Sequence, residues 1–412
     1  MAVADLARII GGGTPDRERP AYWRCGTIPW ITPTDLTSNR AKFISRGAES
    51  ITELGLQRSN ATLLPVGSII FSTRGTVGNL AVSSVPLTCN QSCEAVIPVD
   101  GAVDGQFLYY LLRFGHSAFV RLSGGTTFGS ITRRDIARVR FAIPSDINEQ
   151  AVIGNVLSAV DHTFELSRAA LEVARGLYRA LLHELLQRGL TPKSDFGRTY
   201  PAHWRVRRLD EVADVGSGLT LGQDISGFKS VELPYLRVAN VQDGHVDLSS
   251  IKTVRVRVDE IDDYKLKAGD VLMTEGGDID KLGRGTIWAG QILDCLHQNH
   301  VFRIRPDRSV LLPEFYSLVV ESDIAKRYFS RVAKRTTNLA STNKTQVRAF
   351  RFPLPPTISE QHQIVEVVDA ARAQIAALAS RHAALGALRT GLLHDLLSGQ
   401  TRVGSLSVAT PA

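Results

Sequence analysis

At 412 residues, with 43% hydrophobic and 22% charged side chains, the chain is long enough for two or three cores and reads as a folded protein, not a disordered one. Forty-eight Lys and Arg against 41 Asp and Glu leave a net charge of +7, which suits a polyanionic partner without requiring one. Cys25, Cys89, Cys93 and Cys295 are too few and too scattered for a disulfide framework or a zinc site, and no run of about 18 apolar residues or signal-like N-terminus occurs, so the expectation is a cytoplasmic protein with reduced thiols.

The chain opens with Val3–Ile9 followed by Gly11-Gly12-Gly13-Thr14-Pro15, and a matching opening recurs at Leu209–Val215 followed by Gly216-Ser217-Gly218. The second copy has a lead-in, Trp204–Arg208, that the first lacks, so either the start lies a few residues late or the first domain begins abruptly. Up to residue 145 short strand-like runs alternate with turn residues: Ile28–Ile31, Ser68–Ser72, Asn79–Val82 and Glu94–Ile97. Phe107–Phe114 and Ser117–Leu122 read as one helical stretch interrupted at Gly115. The same order returns at Leu233–Leu236, Gly269–Met273 and Asn299–Ile304, with a helix near Pro313–Arg331. Each unit is expected to be α+β with a mixed or mostly antiparallel sheet.

Two long helix signals follow the two globular stretches, and one is a copy of the other. Asp146–Leu186 sets onto Thr357–Leu397 at one constant offset without insertion: Glu149-Gln150 falls on Glu360-Gln361, Ile153 on Ile364, and Leu181-Leu182-His183 on Leu392-Leu393-His394. That is an internal duplication. Each signal opens with a capping-box pattern after a proline, Asp146-x-x-Glu149 and Thr357-x-x-Glu360. In the first, Ile153, Leu157, Val160, Phe164, Ser167, Leu171, Ala174, Tyr178, Leu181 and Leu185 keep four-three spacing, the seam of a coiled coil. In the second the seam is Ile364, Val368, Ile375, Leu378, Leu385, Leu392 and Leu396, broken by His382 and Arg389, so its middle is expected to pack less well or to turn outward. The simplest packing pairs the rods antiparallel about a pseudo-twofold axis, each about 60 Å long, with one globular unit at each end. The expected divisions are 1–145, a central helix at 146–190, a linker at 191–205, a second domain at 206–356, a C-terminal helix at 357–400 and a tail at 401–412.

At this point the sequence resembles the specificity (S) subunit of type I restriction–modification enzymes. The matching residues are Pro353-Leu354-Pro355-Pro356-x-x-x-Glu360-Gln361-x-x-Ile364-Val365 with the ending Leu392-Leu393-x-x-Leu396-Leu397-Ser398-Gly399, and the first-copy forms at Ala142–Ile153 and Leu181–Leu186. Gly67–Gly75, Gly269–Met273, Gly125-Thr126-Thr127 and Thr336-Thr337-Asn338 match the family's strand-and-loop segments. The resemblance covers nearly the whole chain. It implies two target-recognition domains alternating with two similar helices, and a protein that reads double-stranded DNA without catalysing. Two methyltransferase (M) subunits would bring S-adenosylmethionine, and restriction (R) subunits ATP and Mg.

The residues agree on the absence of catalytic signatures: no Asn/Asp-Pro-Pro-aromatic motif, no phosphate-binding Gly-x-x-x-x-Gly-Lys loop and no His-Glu-x-x-His. Gly216-x-Gly218-x-x-x-Gly222 has the wrong spacing for a dinucleotide loop and reads as a turn. His183 and His394, symmetric and one residue off the seam, suit packing or partner contact better than metal or acid–base work. Residues 149–188 hold four Arg against five acidic residues, so the positive excess lies mainly in the globular stretches, as expected if they grip phosphates.

The candidate DNA contacts are loop residues beside strands: Thr73, Arg74, Thr76, Thr126, Thr127, Arg133 and Arg134 in the first unit, and Arg237, Asn240, Lys281, Arg284, Thr337, Asn338, Asn343 and Lys344 in the second. Arg and Asn have the bidentate geometry for guanine and adenine edges, whereas Lys, Ser and Thr more often meet phosphates. For any one of them the alternative is a solvated surface residue. Arg168, Arg175, Arg179, Arg372 and Arg381 lie on rod faces that a partner could cover, or are simply solvated. Two domains on one rod pair would read half-sites about 34 Å apart, and because their loops differ the half-sites should differ too. A recognition subunit of a methylation-only or other defence system, or a coiled-coil scaffold that binds proteins and has no salt-dependent DNA affinity, remain the alternatives at this point.

Overall fold

The computed structural model describes residues 1–124, 129–190, 200–277, 282–335 and 340–402. They form two compact units, one of Met1–Ala169 with Ser380–Ala412 and one of Ala170–Ala379. Each unit therefore contains one globular stretch and half of each long helix.

In the first unit the principal sheet has five strands, ordered Ala7–Gly11, Cys93–Pro98, Ile69–Ser72, Leu80–Ser83 and Phe43–Ile44. The first three contacts are antiparallel and the last is parallel, so the sheet is mixed. A second sheet places Ile28–Ile31 between Glu49–Ile51 and the parallel strand Thr88–Cys89. In the second unit Ala213–Ser217, Val301–Pro306, Val271–Thr274 and Gly285–Ile287 repeat the first four strands in the same order. Even the register recurs: Ala7 pairs with Pro98, and Ala213 with Pro306. The side sheet recurs as Ser230–Leu236 between Lys252–Arg257 and the parallel strand Leu296–His297. Its outer hairpin strand, Lys252–Arg257, is not among the runs expected above, although Val254-Arg255-Val256-Arg257 alternates as a half-buried strand does.

Close backbone approach explains one repeated glycine. A Cβ on Gly12 would lie 2.0 Å from the carbonyl oxygen of Asn90, and one on Gly218 would lie 2.0 Å from that of His297. Gly218 thus works as a contact point between strands, and Gly216 sits inside one.

The segment Phe107–Leu122 is two helices, Gly105–Phe114 and His116–Leu122, hinged at Gly115. Its counterpart is Pro313–Glu321 and Asp323–Val332, broken at Ser322, whose hydroxyl caps the second piece. In the second unit Arg205–Arg208 pairs with Arg351–Leu354. In the first the corresponding pairing is a single bridge, Ala2 against Arg140, with the Met1 ammonium donating to the Phe141 carbonyl at 2.7 Å.

The long helices run over Ile147–Arg188 and Ile358–Leu397. In the first unit Ile153 and Leu157 share a core with Leu396 and Leu397; in the second, Leu182, Leu185 and Leu186 share one with Ile364, Val365 and Val368. Start therefore packs on end in each unit, and the helices pair antiparallel. Val160, Phe164, Leu171 and Leu181, and likewise Ile375, Leu378, Leu385 and Leu392, are buried or half-buried.

Two expectations are corrected. Of the two outcomes expected for the middle of the second seam, outward turning is not seen at His382 and Arg389, while looser packing is: Ile375, Leu378 and Leu385 are half-buried where Ile364, Val368 and Leu396 are buried. The His382 ring stacks on Phe164 at 4.3 Å, and Arg389 lies 4.9 Å from the same ring while its guanidinium donates to Asp161. The capping box at Thr357 is half made: Thr357 Oγ1 accepts from Glu360 N at 3.2 Å, but the Glu360 carboxylate faces Trp204 instead, accepting its indole N–H at 2.8 Å. Burying an indole leaves a donor that must be satisfied, and Glu360 is the acceptor within reach.

The Glu-Gln pair at each helix start owes its importance to the glutamine. Gln150 and Gln361 are buried. Gln150 accepts from Asp104 N at 3.0 Å and donates to Pro144 O at 2.9 Å; Gln361 accepts from Leu312 N at 2.8 Å and donates to Val310 O at 2.8 Å. Each amide latches a long helix to the start of the helix that packs on it.

Candidate nucleic-acid interface

The strand edge that carries the candidate residues is the same in both units. In the first, the strand Ile69–Ser72 ends in a turn whose Gly75 and Gly78 have φ of +74° and +91°. Thr73 N and Oγ1 both donate to Ser92 O, at 2.9 and 3.0 Å. Ile131 N donates to Thr73 O, and Arg74 bridges Ser130. In the second unit Glu275 N donates to His300 O, Thr342 N to Glu275 O, and Gly276–Gly277 pair with Ala340–Ser341. Each edge is completed by a short helix beginning just beyond it, Arg133–Arg138 capped by Thr132 and Lys344–Arg348 capped by Asn343.

On this frame the sequence candidates separate into groups. Arg74 and Arg134 are exposed, and no side-chain partner engages either among the described residues. Thr76 is exposed, with its hydroxyl 2.8 Å from that of Thr37. Arg133 is exposed but donates to Glu94 at 3.0 Å; burial raises the Glu94 carboxyl above its usual range, and Arg133 opposes the rise. Lys344 is exposed and unpaired among the described residues.

Three candidates have structural work instead. Thr73 is buried and spent on Ser92. Asn240 is buried, its oxygen accepting from Arg237 N at 2.9 Å and its amide donating to Asp247 O at 2.9 Å and Ser250 O at 3.1 Å. Both amide hydrogens and one lone pair of its oxygen are spent on residues 237–250, and burial closes the edge to adenine. Asn343 is exposed, but its side-chain oxygen accepts from Gln346 N at 2.9 Å as the helix cap. Arg237 and Arg284 are half-buried, donating to Ser250 O and Gln242 Oε1 at 3.0 Å each, and the Nε of each has no partner among the described residues. Thr126, Thr127, Lys281, Thr337 and Asn338 lie outside the described residues.

The structure adds side chains that spacing had not singled out. Glu275 and His300 are hydrogen-bonded to each other at the second edge, where the first carries Thr73 and Ser92. The signal was present: Glu275 follows its strand as Thr73 follows its own. Arg17 is fixed over Trp23 at 4.0 Å and beside Trp30 at 4.7 Å, and donates to both oxygens of Glu49 at 2.6 and 2.9 Å. Among the rod-face arginines, Arg372 is not a free surface group, since it donates to Tyr178 at 2.9 Å, to Glu321 and to Asp369 at 3.1 Å. Arg168 and Arg175 pair with Glu165 and Glu172 on their own helix. His183 is half-buried beside Gln187, whereas His394 is exposed, its ring 6.0 Å from that of Phe114. No group of three or more His, Cys, Asp or Glu suited to a metal occurs among the described residues, and no helix there is long and apolar enough to cross a membrane.

Comparison with known proteins follows the same division. The family model for the type I restriction modification DNA specificity domain matches twice, over residues 1–174 and 201–385. The MjaIX specificity subunit of Methanocaldococcus jannaschii is 30% identical over 275 residues, covering 64% of this chain and 62% of that protein. The EcoKI specificity subunit of Escherichia coli K12 is 24% identical over 392 residues, 89% of this chain and 80% of the relative. Among solved structures, the S subunit of a type I system from M. genitalium aligns with a TM-score of 0.57 at 16% identity, covering 96% of this chain and 95% of that one. A chain from a study of assembly and conformational transition in the type I R-M system aligns at 0.62 and 18% identity, covering 97% of each. The chain belongs to the type I restriction–modification DNA specificity family.

Proposed function

We propose that this protein is the sequence-reading, non-catalytic subunit of a type I restriction–modification enzyme, recognising a bipartite, asymmetric DNA target with one half-site per unit. The observation that carries this reading is a duplicated scaffold whose strand edges carry different side chains: Arg74, Thr76 and Arg133 on one, Glu275, His300 and Lys344 on the other. A repeated frame with divergent edges suits two readers of different sequence better than two copies of one protein-binding site. Methyltransferase subunits would hold S-adenosylmethionine, and restriction subunits ATP and Mg. The central helix leaves Leu166, Val173 and Leu177 more than half exposed, and apolar groups so placed suit a covering partner.

Co-expression with the partner methyltransferase, followed by genome-wide mapping of N6-methyladenine, tests the reading. The expected result is methylation confined to a split motif with unlike halves, lost on deleting this gene. Methylation that persists without this chain and shows no motif would sink it and favour a protein scaffold.

A further inference from the structure

We infer that the first unit carries a second DNA contact, a cleft that takes the phosphodiester backbone beside the half-site and adds affinity without reading sequence. The inference rests on the DNA-recognition reading above. The cleft, of about 770 Å³, opens between the segment 36–43 and the central helix. One wall is the back of the recognition turn: Gly78 and Asn79 line it, and Thr37 accepts from Asn79 Nδ2 at 3.0 Å while meeting the Thr76 hydroxyl at 2.8 Å. The cleft therefore adjoins the turn that carries Arg74 and Thr76.

The charges facing the cleft are mostly cationic once internal pairs are set aside. Asp161 is engaged by Arg113, Arg389 and Tyr110, and Glu165 by Arg168. Arg40 is exposed and unpaired among the described residues. Lys42 Nζ donates to Gln106 at 2.9 Å and Ser158 at 3.2 Å and lies 4.8 Å from the Tyr110 ring, which holds the ammonium in place; burial lowers its pKa, and Asp161 and Asp104 oppose the fall. His116 and His162 add ring N–H donors at the rim.

The duplicated copy shows that the scaffold does not demand these charges. Thr32 N to Asp35 is matched by Arg237 N to Asn240, and Asn79 to Thr37 by Arg284 to Gln242. In that register Arg40 corresponds to His245 and Lys42 to Asp247, and the long-helix offset carries His162 onto Ala373. The charges of Arg40 and Lys42 at this position belong to the first unit alone. The Lys42 ammonium is a compact charge suited to a phosphate, and the Arg40 guanidinium can meet phosphate oxygens in a bidentate fork.

The test is fluorescence anisotropy of the full-length chain with a random-sequence duplex across a salt series. Arg40→Ala should lower the slope of log affinity against log salt by about 0.9 and weaken binding about eightfold at 0.1 M salt. Arg40→Lys should restore most of both, Arg175→Ala should change neither, and the methylation motif should stay the same. An unchanged salt slope overturns the inference, and if assembly with the methyltransferase weakens instead, the cleft docks protein. A changed motif would overturn it in favour of base reading. Failure of the unaltered chain to bind any duplex would instead overturn the underlying DNA reading.

Discussion

The two units solve one packing problem with opposite charges. Where the short helix of the first unit meets both long helices, Arg113 donates to Asp161 at 2.9 Å, and Arg389 reaches the same carboxylate from the other long helix. At the matching place in the second unit stand Glu321, Arg372 and Tyr178, with Arg372 to Tyr178 and Tyr178 to Glu321 both at 2.9 Å. Under the duplication offset Asp161 is Arg372 and Tyr178 is Arg389, so one three-member junction is kept while its polarity is inverted. A first domain set against the second helix would bring Arg113 to Arg372, and the reverse would bring Glu321 to Asp161. The inversion therefore penalises the wrong domain–helix pairing in a chain whose halves are otherwise alike.

The largest expected effect comes from breaking one junction. Asp161→Arg would place three cations together, at a cost of about 3–5 kcal/mol when a buried partner is lost, with part of that screened by solvent. Combining Arg113→Glu, Asp161→Arg and Arg389→Tyr recreates the other unit's chemistry and should recover most of the loss. Hydrogen exchange on peptides from the first unit measures both, since one unfolding midpoint need not describe two units. If the triple variant is no better than the single, the junctions are not interchangeable and the inversion carries no pairing information.

A second comparison lies inside the side sheets. Cys89 and His297 occupy the same strand position, both buried. Burial pushes the Cys89 thiol up to about 12, and pushes the His297 imidazole down to about 4. His297 stays neutral in the fold, its Nδ1 2.7 Å from Val301 O. Unfolded, it would titrate near 6.5, so between those values the unfolded chain binds the extra proton. Its contribution is present above about pH 6.5 and is lost as pH falls towards 4, up to about 3 kcal/mol. The second unit should open first in acid, as hydrogen exchange at pH 7 and pH 5 would show. His297→Cys should remove the difference; acid opening confined to the first unit would contradict the assignment.

Much of this was readable from the residues, because duplication doubles every weak signal. The antiparallel helix pair and the seam follow from periodicity and from one constant offset, and the succession of strand runs along the chain follows from the repeated openings. The edge chemistry was less readable for a physical reason: an Asn beside a strand looks the same whether it faces DNA, as expected of Asn240, or closes its own loop, as Asn240 does. Only the acceptors around it decide, and here they are the backbone carbonyls of Asp247 and Ser250, which no side-chain pattern marks. His382 and Arg389 misled for the same reason, since a polar residue in a seam reads as a break until Phe164 and Asp161 are seen opposite.

The smaller effects concern what the units share. Gln150→Ala and Gln361→Ala each strand a buried backbone N–H, on Asp104 and Leu312, and should cost about 1–3 kcal/mol apiece in their own unit. Equal losses would mark the latch as scaffold; a loss in one unit alone would mean that the other has drifted from that use. Smaller again are the caps of the short edge helices. Thr132→Ala and Asn343→Ala should each cost about 1 kcal/mol. Asn343 is the sharper probe, because it was also a candidate base reader. If its exposed amide only caps the helix, Asn343→Asp keeps the cap and leaves the methylated motif unchanged, while Asn343→Ala weakens the edge with the motif again intact. A motif altered at one base by Asn343→Asp would show that the cap also faces DNA, and that the second edge reads with a residue its own fold needs.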